Sequence, residues 1–99
     1  WSVTVPVDSS GRCLSRAISW MDRRGGAHSR RLMRGIINVA GFGVTKLARW
    51  IRTTGGAPTP TGSDGLSHLL YFKNERPDVY RQAHAFLDPH DFIGMRLTG

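Results

Sequence analysis

The sequence predicts an α/β unit, and three observations carry that expectation. Trp1 to Asp8 alternates apolar and polar residues. Val44 to Thr54 carries an apolar stripe beside a basic one. Ala85-Phe86-Leu87 is a short apolar run followed at once by helix-start residues. Period-two alternation marks a half-buried strand, and a stripe at helical spacing marks an amphipathic helix.

In the first segment Trp1, Val3, Val5 and Val7 fall on one face, and Ser2, Thr4, Pro6 and Asp8 on the other. Pro6 has no N–H to give a ladder, so an edge strand or irregular pairing is expected there. Ser9 to Arg12 reads as a turn. Leu14 to Trp20 then returns as a second strand, strand-like from Ala17 to Trp20, which completes a hairpin. A helix is expected from near Ala27, carrying Leu32 and Met33 inward and ending at Gly35. The stripe of the next helix is Val44, Leu47, Trp50 and Ile51, opposite Lys46, Arg49 and Arg52, and Gly55-Gly56 stops it.

Ala57 to Gly65 is a loop of helix breakers. Ser63 or Asp64 caps a helix that carries Leu66, Leu69 and Leu70. Pro77 breaks or kinks that helix, and it also suits the first turn of a short helix from Pro77 to Ala83. Ala85 to Leu87 is expected as a buried strand. Asp88-Pro89-His90-Asp91 offers a cap, a first-turn Pro and a first-turn acid, with Phe92, Ile93 and Leu97 packing behind them. The whole is a strand hairpin followed by a helical insertion, then a strand and a helix. A hairpin and one isolated strand make a poor sheet alone. Further strands are therefore expected outside the chain, and Trp1 and Gly99 read as cuts through a longer protein.

Ninety-nine residues at 39% apolar allow one small domain at most. No apolar run approaches the roughly 20 residues of a membrane span, and no signal peptide is visible. Cys13 is the one cysteine, which excludes an internal disulfide and suggests a reducing, cytoplasmic setting. The net charge of +7 suits nucleic acid or phosphorylated ligands. Arg greatly outnumbers Lys, a bias that a high-GC genome also gives an ordinary protein.

Neither a Walker-type phosphate loop nor a dinucleotide fingerprint is present. The four histidines lack the close partners of a zinc motif, and His84 and His90 lie six apart across a strand-to-helix junction, so no metal site is expected. The chemistry concentrates at Trp20-Met21-Asp22-Arg23-Arg24. Ligands of α/β sheets bind where strands end. A Trp face packs on the C–H face of a sugar, a carboxylate accepts two neighbouring hydroxyl hydrogens, and Arg orients the carboxylate or meets a phosphate. The same residues also read as a core Trp and a capping Asp.

The run Trp1 to Asp8, then Gly11-Arg12 and Ala17-Ile18-Ser19-Trp20-Met21-Asp22-Arg23-Arg24, resembles the N-terminal domain of FGGY carbohydrate kinases. There a strand of the kind Q-x-x-x-T-x-x-x-D leads through a Gly turn to A-I-x-W-x-D-x-R. Thr54-Gly55-Gly56-Ala57-Pro58, Glu75 to Tyr80, and Asp88-Pro89-His90-Asp91-Phe92 to Arg96-Leu97-Thr98-Gly99 are similar to the family's later motifs, ending in R-(L/M)-T-G. The resemblance runs nearly end to end, and Gly41 to Gly65 looks like the helical insertion of a xylulokinase-like branch.

The resemblance implies a partial ribonuclease-H-like, actin-like ATPase domain, with residues 1–99 forming part of the sugar-binding half. It implies ATP-dependent phosphorylation of a sugar or polyol hydroxyl, with a carboxylate receiving the hydroxyl proton. ATP and Mg²⁺ would be bound by other segments of the kinase chain, which also hold the Asp base, and the full-length enzyme could form a homodimer. Carried over by motif, the sugar-contacting dipeptide falls at Trp1-Ser2 and the substrate-packing aromatic at Trp20, with Asp22 and Arg24 beside it. Asp64 and His68 of the insertion approach the sugar, or Asp64 simply caps its helix. Trp1-Ser2 departs from the charged pair of polyol-type members and from the Met-His of xylulokinases. The competing expectation is a small basic nucleic-acid-binding module built on the Arg23–Arg34 cluster with Lys46, Arg49 and Arg52.

Overall fold

The computed structural model describes residues 2–39, 42–56, 59 and 61–99. The protein is mixed α/β, with two small antiparallel sheets and five helices among those residues. Strand β1 (Val5–Val7) pairs antiparallel with β4 (Ala85–Leu87), Pro6 opposite Phe86. The other edge of β1 meets the chain at two isolated bridges, Thr4 with Ile18 and Val7 with Cys13. Three steps from Thr4 to Val7 thus oppose five from Ile18 to Cys13, so the pairing loses register. Pro6 explains this: it gives no N–H, and its carbonyl accepts from Leu14 N–H at 2.9 Å.

The irregular pairing expected at Pro6 is found, and two other expectations are corrected. Leu14 to Trp20 is not a continuous strand but touches β1 at bridges only. Nor is β1 half-buried, because Thr4, Val5, Pro6 and Val7 are all buried. Both edges of β1 are occupied, and Thr4, expected on an outward face, is turned onto a helix described below. The turn that follows is held by Asp8, whose Oδ1 accepts from Ser10 N–H (2.8 Å), Ser10 Oγ (2.6 Å) and Arg12 N–H (3.0 Å). The Ser10 hydroxyl, then the Arg12 N–H, hold this carboxyl well below the usual carboxylate range.

Helix α1 (Gly26–Met33) starts one residue before the expected position and buries Met33; Leu32, expected inward, is exposed. A short hairpin follows, β2 (Asn38–Val39) with β3 (Phe42–Gly43). It was not legible in the sequence. Helix α2 (Val44–Thr54) has the expected bounds and ends at Gly55, whose φ of 76° suits glycine. Its apolar stripe is not packed: none of its residues is buried, because α2 leans on β3 and not on the core.

Helix α3 (Gly65–Glu75) is capped by Asp64. It buries Ser67, His68 and Phe72, whereas the expected Leu66, Leu69 and Leu70 are only half-buried. Helix α4 (Pro77–Gln82) begins at Pro77 as expected. Strand β4 is half-buried, since only β1 lies beside it. Helix α5 (Pro89–Thr98) starts where expected but buries nothing; Ile93 and Leu97 are exposed. The core is Ile18, Phe72 and Val79, joined by Leu14, Tyr71 and Phe86. Phe72 and Phe86 pack with ring centroids 5.5 Å apart, tying α3 to β4.

Helices α1 and α3 approach so closely that a Cβ on Gly25 would overlap the Ser67 carbonyl. That carbonyl is backbone and cannot swing aside. Gly25→Ala is therefore expected to destabilise the protein by about 3 kcal/mol, the upper end for overpacking. Gly94, inside α5, has nothing within 4 Å of such a Cβ. Gly94→Ala is expected to stabilise by about 0.5–1 kcal/mol, since helical Gly is entropically costly. Urea unfolding of the two variants checks the opposite signs.

Candidate functional site

Two segments create the site. Thr4 and Ile18 exchange both backbone hydrogen bonds, at 2.8 and 2.9 Å. This pair places Ser2 and Trp20 at the same end of the two joined segments. Beyond it the chain turns, with Asp22 N–H donating to Ser19 O at 2.9 Å. Trp20 is 45% exposed at this edge, so it is not the core residue of the alternative reading. Ser2 is half-buried, and Trp1 lies outside the described residues.

Asp22 does not cap a helix side-chain-first, because α1 begins at Gly26 with Gly25 as its cap. It grips Arg24 instead. Oδ1 accepts from the Arg24 N–H at 3.0 Å, and Arg24 Nε and Nη2 span both carboxylate oxygens. The Arg24 side-chain bonds hold the Asp22 carboxyl below its ordinary value, with partial burial opposing them. Arg24 in turn lies over the Tyr71 ring, 4.5 Å from its centroid, and donates to the Tyr71 hydroxyl at 2.8 Å. Asp22 and Arg24 are thus brought together as expected, and Tyr71 of α3 completes the arrangement. Sequence reasoning passed over Tyr71 because it lies 47 positions from Arg24.

Asp64 sits at the start of α3. Its Oδ1 accepts from Ser67 N–H at 2.7 Å, and its Oδ2 from Thr59 N–H and Thr59 Oγ at 3.0 and 2.8 Å. The helix-cap role is realised, and the cap also fastens the preceding loop. One turn on, His68 is 1% exposed, with Nδ1 2.9 Å from Thr4 Oγ1. Its Nε2 has no hydrogen-bond partner among the described residues. Burial pushes the imidazole pKa below 6.5, while the carboxylates of Asp22 and Asp64 pull it the other way. His68 therefore joins β1, the Asp22 turn and the α3 cap in one electrostatic neighbourhood.

The basic residues segregate. Between Arg23 and Ser63 the sequence has eight Lys and Arg and no Asp or Glu. Arg30, Arg31, Arg34, Lys46, Arg49 and Arg52 are all exposed on or beside α1 and α2. Asp88, His90 and Asp91 cluster at the start of α5, all three exposed. No helix among the described residues is long and apolar enough to cross a membrane. No family model and no solved structure matches the chain.

The pH response of the fold follows from His68. The unfolded chain takes up a proton near the ordinary value of 6.5, whereas the folded chain resists until lower pH. The unfolded state then binds more protons, so stability falls as pH drops below about 6.5 and is complete above it. Thermal unfolding measured from pH 7 to about pH 5 is expected to show this decline. His68→Asn is expected to be less stable at pH 7 by about 1–3 kcal/mol, for the lost Thr4 partner, with a shallower decline.

Proposed function

We propose that this chain is the sugar-positioning part of an ATP-dependent carbohydrate kinase of the FGGY type, with a xylulokinase-like insertion. One observation carries the reading: Trp20 is exposed beside an Asp22 carboxylate that Arg24 keeps ionised. An indole face at a turn beside the β1 bridge accepts the C–H face of a sugar. An ionised carboxylate beside it accepts hydroxyl hydrogens through the lone pairs that Arg24 leaves. Arg24 serves as the orienter of Asp22, itself held over the Tyr71 ring by its bond to the Tyr71 hydroxyl. The ordered motifs around these residues support the same assignment, with Asp88 to Gly99 providing its second half.

ATP with Mg²⁺ supplies the transferred phosphoryl group in such kinases, and transfer depends on positioning and charge neutralisation. The residues described here contain no Gly-rich phosphate cradle, so nucleotide binding is assigned to other segments. This segment's share is to hold the sugar and fix the reacting hydroxyl in register. Cytoplasmic location and dimer formation belong to the same reading.

A second reading rests on the acid-free stretch from Arg23 to Ser63. Its exposed cations on α1 and α2 suit a nucleic-acid backbone, and such binding would fall steeply with salt. The half-buried Trp50 and the absence of alternating exposed aromatics on that face favour the sugar reading.

The test uses a kinase containing this segment, assayed for sugar-dependent ATP consumption across ketoses and polyols. Trp20→Ala and Asp22→Asn are each expected to raise the sugar KM by about ten-fold or more, about 1.4 kcal/mol of binding, with the ATP KM unchanged. Activity on no sugar, or an unchanged sugar KM in both variants, would contradict the proposal.

A further inference from the structure

A cleft of ≈ 510 Å³ is lined by Arg16, Arg24 and Arg76 with Ser15 and Tyr71, beside Ile18 and Phe72 of the core. Three arginines line this one space from three separate elements: the bridged 13–18 segment, the turn before α1, and the junction of α3 with α4. Like charges do not gather in this way without cost. The charge of Arg24 acts against that of Arg76, and Asp78 more than offsets it.

Two of the three guanidinium planes are fixed by carboxylates. Asp22 holds Arg24 through Nε and Nη2. Asp78 holds Arg76 through the same two nitrogens, at 3.3 Å. A guanidinium has five N–H donors, so each keeps donors to offer. The Arg16 side chain makes no ion pair among the described residues. The Tyr71 hydroxyl accepts from Arg24 and keeps its own O–H to donate, while the Ser15 hydroxyl is given to the Arg16 carbonyl and Phe72 lends an apolar wall. The volume lies within the range of small-molecule sites, about 300–1,000 Å³.

The geometry points to a binding site for a phosphate monoester in this cleft, with Arg16 as the principal anion ligand and Arg24 and Arg76 as pre-oriented partners. A phosphoryl group matches planar donor forks arriving from several directions, and its charge relieves the crowding of the three cations. The apolar wall leaves room for a small organic body. Trp20 does not line the cleft but Arg24 does, so the cleft adjoins the proposed sugar contact and shares Arg24 with it.

The experiment is calorimetric titration of the protein with inorganic phosphate, with a hexose 6-phosphate and with the same unphosphorylated hexose, followed by NMR mapping of shifted amides. The hexose phosphate is expected to bind saturably and to shift amides of Ser15, Arg16 and Tyr71. Arg16→Ala and Arg76→Ala are each expected to weaken it by about ten-fold, with Arg16→Ala unfolding at the parent temperature. Arg52→Ala, on α2, is expected to leave it unchanged. Equal affinity for inorganic phosphate assigns the cleft to the phosphoryl group alone; weaker affinity shows that the sugar body is also read. The inference is overturned if no ligand saturates, if Arg16→Ala and Arg76→Ala bind as the parent does, or if Arg52→Ala costs as much as they do. Trp20→Ala is expected to leave this binding intact, so failure here does not touch the kinase reading.

Discussion

The buried hydrogen bond between Thr4 and His68 is the constraint on which the arrangement depends. It joins residues 64 apart in sequence and locks the start of β1 against α3. Thr4 also exchanges both backbone bonds with Ile18, so the same residue fixes the segment that leads to Trp20. His68 stands one helical turn after the Asp64 cap and feels the charge of Asp22. A buried polar nitrogen is costly unless hydrogen-bonded, so the Thr4 bond to Nδ1 ties α3 to the start of β1. The two glycines that begin α1, Gly25 and Gly26, allow that closeness because neither presents a Cβ to the 61–67 segment.

Much of the local structure was legible in the sequence. The bounds of α2 follow from its stripe and from Gly55, the start of α4 from Pro77, and the start of α5 from Asp88-Pro89. These are short-range signals, fixed by caps and by proline geometry. What escaped is tertiary. Thr4 and Pro6 read as an outward face, yet both are buried, Thr4 against His68 of α3 and Pro6 opposite Phe86 of β4. Leu66, Leu69 and Leu70 looked like the buried face of α3, yet His68 and Phe72 occupy it. Hydropathy cannot anticipate a histidine preferred to leucine at a helix–strand junction, because the preference arises from its Thr4 partner. The apolar stripe of α2 is the converse: the periodicity is plain, but Leu47 and Trp50 are only half-buried and Val44 and Ile51 are exposed.

The candidate site shows the same division. The Trp20–Asp22–Arg24 cluster was visible as residue types at a strand end, and the Asp22–Arg24 pair forms as expected. Tyr71 was invisible to local reading, although it holds the far side of Arg24. Asp64 belongs to the scaffold through Thr59 and Ser67. Charge is partitioned as well. Cations on or beside α1 and α2 are exposed to solvent, whereas Arg16, Arg24 and Arg76 line one cleft beside the core. The first pattern is a solvated face; the second is a local concentration of donors.

The central claim is that the exposed edge at Trp20 reads a sugar while the α2 insertion does not. Its most direct measurement follows the indole N–H signals of Trp1, Trp20 and Trp50 by NMR as a ketose or polyol is added. The Trp20 signal is expected to shift saturably and the Trp50 signal to stay fixed, with the Trp20 shift lost in Asp22→Asn. A saturable shift at Trp50 with Trp20 unmoved would contradict the account.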